Sequence, residues 1–120
     1  MDYKEFLEAV IGNKFTKVEG MFQDSEEIIF ELENGDKWKM YHSQDCCEEV
    51  WLEDINGKVE DILNTPILKF DEKVQDDEEA YESGTYTFYT IVTEKGYVDL
   101  RWHGESNGYY SESVDFTKLN

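Results

Sequence analysis

Residues 85–103 read TYTFYTIVTEKGYVDLRWH: two runs of β-branched and aromatic residues around the turn Glu94–Lys95–Gly96. Thr, Tyr, Phe, Ile and Val fill the first run, and these types suit a pleated, half-buried surface. In the second run Val98, Leu100 and Trp102 alternate with Tyr97, Asp99, Arg101 and His103. One face of that strand is therefore apolar and the other carries the polar groups. The pattern predicts a β-hairpin at the centre of an antiparallel sheet.

The flanking sequence extends the sheet. Ile28, Phe30 and Leu32 alternate with Glu31 and Glu33 up to Asn34–Gly35, a strong two-residue hairpin signal. Residues 37–42 return, with Trp38, Met40 and His42 on one face. Further strands are expected over 15–22, broken by Gly20, and over 50–55, ended by Asn56–Gly57. Residues 67–74 read as extended and 113–116 as a last short strand, while 76–79 reads as an exposed loop or the start of a short helix. Tyr3, Phe6, Leu7 and Val10 recur at helical spacing, with Asp2 as N-cap and Glu5 at the capping-box position. A shorter helical segment is expected over 59–63, before Pro66, the only proline. The expected fold is one α+β domain over residues 1–120. It is mainly antiparallel β-sheet, with about six or seven strands, an N-terminal helix and a short central helix.

The charge bounds the partners. Asp and Glu number 29 against 11 Lys and Arg, a formal net charge of −18, and Arg101 is the only arginine. Nucleic acid and anionic membrane carry the same sign and are repelled at long range, so neither is expected as a direct partner. A single guanidinium does not make a multi-site phosphate clamp. No apolar run has the length of a membrane span and no leader pattern opens the chain, so a cytoplasmic protein is expected. Cys46 and Cys47 are adjacent. A disulfide between neighbours is geometrically demanding, so two free thiols in a reducing compartment are expected.

Three longer stretches carry a resemblance. They are YHSQDCCEEVWLEDINGKVEDILNTPIL at 41–68, GTYTFYTIVTEKGYVDLRWHGESNGYYSESVDF at 84–116, and the strand pair around ENGDKW. From about residue 14 onward the chain resembles an uncharacterised domain family encoded mainly by bacteriophages and prophages, marked by DCCE and SNGYYS. The resemblance implies origin and context, in which small acidic proteins often act on host defence systems. It implies no activity.

Three constellations are candidate sites. His42, Asp45, Cys46, Cys47, Glu48 and Glu49 include metal-ligand types, but zinc sites space their cysteines by two to four residues. No metal and no cofactor are therefore expected, and one Cys is expected to pack inward while the other faces out. A Cys–His pair with His42 or His103 lacks a recognisable local signature, so no catalytic residue is assigned. The second constellation is the loop GESNGYYS at 104–111, which with Arg101 and His103 offers a small-ligand face through Arg101, His103, Asn107, Tyr109 and Tyr110. The competing reading is a tight connection whose Tyr rings cover the edge of the core.

The third constellation is the acid itself: Glu31, Glu33, Glu48, Glu49, Glu53, Asp54, Asp76, Asp77, Glu78 and Glu79. Carboxylates at about 6.6 Å along one strand face can imitate a phosphate backbone. A net charge of −18 exceeds the magnitude of about 2–8 that solubility asks of a small domain. Together with the phage context that the resemblance implies, this leads to the expectation of a non-enzymatic, phage-type accessory protein. It would bind and block a basic nucleic-acid-binding site on a host defence protein, such as a CRISPR effector or restriction nuclease. The alternative expectation is a sponge for a small nucleotide on the Arg101/His103 face.

Overall fold

A computed structural model describes residues 2–120. It contains eight strands in two antiparallel four-stranded sheets, one α-helix and one 3₁₀ turn. The helix α1 spans Asp2–Val10. The first sheet is built from β1 (Phe15–Glu19), β2 (Glu27–Leu32), β3 (Lys37–Tyr41) and, after the second sheet has been completed, β8 (Asp115–Lys118). Its order is β1-β2-β3-β8. The second sheet holds β4 (Glu49–Asn56), β5 (Lys69–Asp76), β6 (Ser83–Thr93) and β7 (Gly96–Ser106) in the order β4-β7-β6-β5.

The hairpin of residues 85–103 is the β6–β7 pair, in continuous register from Ser83 opposite Ser106 to Thr93 opposite Gly96. It occupies the two central positions of the second sheet. Its partners differ in how they are seated. Of β5 only Phe70 is buried, and its exposed edge carries Asp71, Glu72, Lys73 and Asp76. Charges on such an edge discourage pairing with another chain. In β4 the register shifts between Leu52 and Asp54, opposite Trp102 and Arg101.

One core joins the two sheets. Ile28, Phe30, Leu32, Trp38, Met40 and Phe116 come from the first, and Leu52, Phe70, Tyr89, Ile91, Val98, Leu100 and Trp102 from the second. Phe6 of α1 lies at the seam, its ring centroid 4.6 Å from that of Phe116 and 5.0 Å from that of Phe70. The backbone also crosses between the sheets: Asp24 N donates to Leu52 O at 2.7 Å and Leu52 N to Ser25 O at 2.8 Å. Gly20 permits the turn before β2, with φ of +87° and a would-be Cβ 2.2 Å from the Glu27 carbonyl oxygen.

Several boundaries depart from the sequence reading. β1 stops at Glu19 rather than at Phe22. The segment 67–74 forms a strand displaced to 69–76, because its hydrogen-bond partners on β6 run from Val92 to Thr85. The loop expected from Gly104 begins only after Ser106, since Gly104 and Glu105 still pair with both neighbouring strands. The central helix is a single 3₁₀ turn at Val59–Ile62.

Candidate functional site: the acidic end of the second sheet

The outward face of the second sheet is set by the alternation that buries Val98, Leu100 and Trp102. Arg101 and His103 therefore share the face opposite the core, as the sequence predicts. Across that face Trp51 of β4, His103 of β7 and Tyr86 of β6 stand in one row. The His103 ring lies between the two aromatics, stacked on Tyr86 with centroids 4.5 Å apart and tilted against Trp51 at 4.9 Å. His103 is buried, with 7% of its surface exposed.

Carboxylates close on this imidazole from both sides. Nε2 lies 2.8 Å from Asp77 Oδ2 and 3.8 Å from Glu105 Oε2. Nδ1 lies 2.9 Å from Glu53 Oε2, but the approach is too bent to make a hydrogen bond. Arg101 Nε donates to the other oxygen of Glu53 at 2.8 Å. Asp77 reaches the ring across Gly84: a Cβ there would stand 2.9 Å from Asp77 Cβ and 3.1 Å from its Oδ2.

Beyond this cluster the sheet ends in carboxylates. Glu49 stands directly opposite Glu105, a like-charge cross-strand pair that costs stability. Glu105 is opposite Gly84, whose carbonyl accepts from Asp77 N at 2.9 Å. One row therefore carries Glu49, Glu105 and Asp77, followed by Glu78, Glu79 and Glu82 in the β5–β6 turn. Among the described residues the Lys and Arg ion pairs are Lys17–Glu19, Lys69–Asp71, Lys118–Asp36 and, in the adjoining His103 cluster, Arg101–Glu53. Two shallow depressions open at this end. One is lined by Cys47, Glu49, Tyr81, Glu82, Glu105 and Asn107, and the other by Gln75, Asp76, Asp77, Glu78, Glu79 and Tyr86.

The acidic residues singled out in the sequence thus divide into groups. Glu49, Asp76, Asp77, Glu78 and Glu79 gather at this end. Glu53 and Asp54 sit on the same face, Glu53 engaged by Arg101 and Asp54 opposite it in register. Glu31 belongs to the other sheet, between Lys17 and Lys37 in register, and Glu33 is exposed beside the Asn34–Gly35 turn. Glu82 and Glu105 were not singled out. The separation of Glu105 in sequence from Asp76–Glu79 hides its convergence with them, which the β6–β7 register creates, whereas Glu82 follows in the same turn.

Glu48 is a correction. It was expected on an acidic surface but is buried, with 2% of its surface exposed. Its carboxylate accepts from His42 Nε2 at 2.8 Å and from the Asp45 and Cys46 amides at 2.9 Å each. The His42 hydrogen bond, with the backbone amides, outweighs burial and holds its pKa at about 2, below the ordinary 4.5. His42 Nδ1 faces Ser113 O at 2.7 Å, so the constellation anchors the DCCE loop to the segment before β8. The cysteines are a second correction. Cys46 and Cys47 are joined by a disulfide and are both exposed, so neither packs inward and neither is a free thiol. An exposed loop held by Glu48 presents both Cys side chains outward, where the residue-type preference for burial does not apply.

The Tyr-rich loop is satisfied largely within itself. Gly108 N donates to Ser106 Oγ and Tyr109 N to Asn107 Oδ1, each at 2.9 Å. Tyr109 is 81% exposed and packs edge-on against Tyr110 at 5.1 Å. Ser106 Oγ also donates to Glu112, as does Thr85 Oγ1 at 2.7 Å. Burial raises the Glu112 pKa, but these hydroxyl donors outweigh it and the net shift is downward. Arg101 and His103 share Glu53, Asn107 lines the first depression, and Tyr109 and Tyr110 lie in the loop past the end of β7.

Residues 8–116 match a domain of unknown function, DUF7448. The chain belongs to the DUF7448 family. No curated protein and no solved structure matches it. Among the described residues of this DUF7448 chain, no helix is long and apolar enough to cross a membrane.

Proposed function

We propose that this DUF7448 protein is a non-enzymatic binding protein whose acidic end occupies a basic, nucleic-acid-binding site on a partner protein. The observation that supports it is the gathering of Glu49, Asp76, Glu78, Glu79, Glu82 and Glu105 at one end of the second sheet, with none of the six among the Lys and Arg ion pairs of the described residues. Like charges so placed repel one another and weaken the folded state. A basic groove would relieve that repulsion, and two shallow depressions lie beside the carboxylates. The resemblance to phage-encoded domains points to a host defence protein, a CRISPR effector or restriction nuclease, as the partner class, with the host cytoplasm as the place of action.

The small-nucleotide reading is less well supported. The one arginine is engaged with Glu53, the loop amides of Gly108 and Tyr109 are occupied, and a phosphate on this face meets Glu53, Asp77 and Asp99. Calorimetry with cyclic and linear nucleotides tests it, and saturable heat lost in Arg101→Ala would restore it.

Capture of proteins from bacterial lysate tests the main reading. Replacing Glu49, Asp76, Glu78, Glu79 and Glu82 together by their amides is expected to abolish capture. Replacing Glu31 and Glu33 by Gln, on the other sheet, is expected to leave it intact. Capture should weaken as salt rises, with a Debye length of about 8 Å at physiological ionic strength. Equal capture by both variants would refute the placement of the surface.

A further inference from the structure

The His103 cluster poses a proton-counting problem. A neutral imidazole carries one N–H, yet carboxylate oxygens face both of its nitrogens, at 2.8 Å from Nε2 and 2.9 Å from Nδ1. With the proton on Nε2 and donated to Asp77, a bare Nδ1 is left beside Glu53, and with the proton on Nδ1 the Nε2 lone pair points at Asp77. The ring is buried between Trp51 and Tyr86, and its Nδ1 has no aligned hydrogen-bond partner. The two sides are not alike. Glu53, on the Nδ1 side, is already partnered by Arg101. Asp77 and Glu105, on the Nε2 side, are two carboxylates with no Lys or Arg among their ion-pair partners.

We infer that the Nε2 side is a divalent transition-metal site formed by His103, Asp77 and Glu105. One donor atom from each lies within 4.8 Å of the other two. Zinc–ligand bonds of about 2.0–2.2 Å place tetrahedral donors about 3.3–3.6 Å apart. Asp77 Oδ2, now at hydrogen-bond distance of 2.8 Å from Nε2, would open by about half an ångström to that spacing, and Glu105, whose side chain is 46% exposed, has room to close from 3.8 Å. One imidazole with two carboxylates suits a borderline cation such as Zn²⁺. With the metal on Nε2 the ring proton resides on Nδ1, beside Glu53. A turn of the Glu53 carboxylate, whose side chain is 26% exposed, would align it with that N–H and give the carboxylate–histidine–metal arrangement by which outer carboxylates orient a ligating ring. Gly84 supports the same reading, since any side chain there would fill the space through which Asp77 approaches. The site does not depend on the partner proposed above.

Calorimetric titration of the oxidised protein with Zn²⁺ in excess Mg²⁺ tests the inference, the Mg²⁺ occupying diffuse carboxylate sites. One saturable Zn²⁺ per chain is expected. His103→Gln and Asp77→Asn should each abolish it, and Glu53→Gln should weaken it about 10–100-fold. Circular dichroism of each variant checks that it remains folded. In parallel, ¹⁵N spectra of the imidazoles should show the His103 Nε2 resonance shift with Zn²⁺ while His42 is unmoved. Only weak multi-site heats, or one strong site indifferent to His103→Gln with an unshifted His103 ring, would overturn the assignment.

Discussion

At Glu48 four hydrogen-bond donors converge on one buried carboxylate, those of His42, Asp45, Cys46 and Gln44. Its pKa is held at about 2 against an ordinary 4.5, so the folded chain keeps it charged where the unfolded chain takes up a proton. The stabilisation it supplies is therefore complete above about pH 4.5 and lost as pH falls toward 2. Glu48→Gln should lower the melting temperature at neutral pH and flatten the loss of stability through that window. Parallel pH–melting curves for the two proteins would contradict the assignment. Gly84 makes a second residue-scale prediction. A methyl group there would stand 2.7 Å from Ala80 Cβ and 2.9 Å from Asp77 Cβ. Gly84→Ala should cost about 1–3 kcal/mol in denaturant unfolding, as overpacking does, and should displace Asp77 from His103.

The elements differ in how firmly they are held. β6 and β7 are flanked on both sides and bury alternate residues along most of their length. β5 is an edge strand anchored by Phe70 alone. Hydrogen exchange should find the amides of β7 among the slowest in the chain, and those of β5 beyond Phe70 markedly faster. Equal protection in β5 and β7 would contradict this ranking. At this scale the sequence was most legible. Alternation around Glu94–Lys95–Gly96 and the Asn34–Gly35 turn identified the β6–β7 and β2–β3 hairpins, and the period of Tyr3, Phe6, Leu7 and Val10 identified α1. The division into two sheets was not legible, because β8 returns to pair with β3 across more than seventy residues, and no local pattern records a pairing at that distance.

Over the whole molecule, a net charge of −18 was visible in composition, but its distribution was not. Glu31 and Glu53 read as surface acid in the sequence, yet Glu31 lies between lysines in register and Glu53 is bound by Arg101. The His103 cluster was half legible: alternation put Arg101 and His103 on one face, while Asp77 joins them only through the β5–β6 register. What the register assembles is an end of the second sheet lined with carboxylates, and the proposed function rests on that end. Its most direct test is displacement. Partner proteins captured from bacterial lysate on the immobilised chain are challenged with duplex DNA or structured RNA. The account predicts that nucleic acid releases the captured protein in a dose-dependent way, with no nucleic acid retained on the chain itself. Captured protein that stays bound while its nucleic-acid site fills would contradict it.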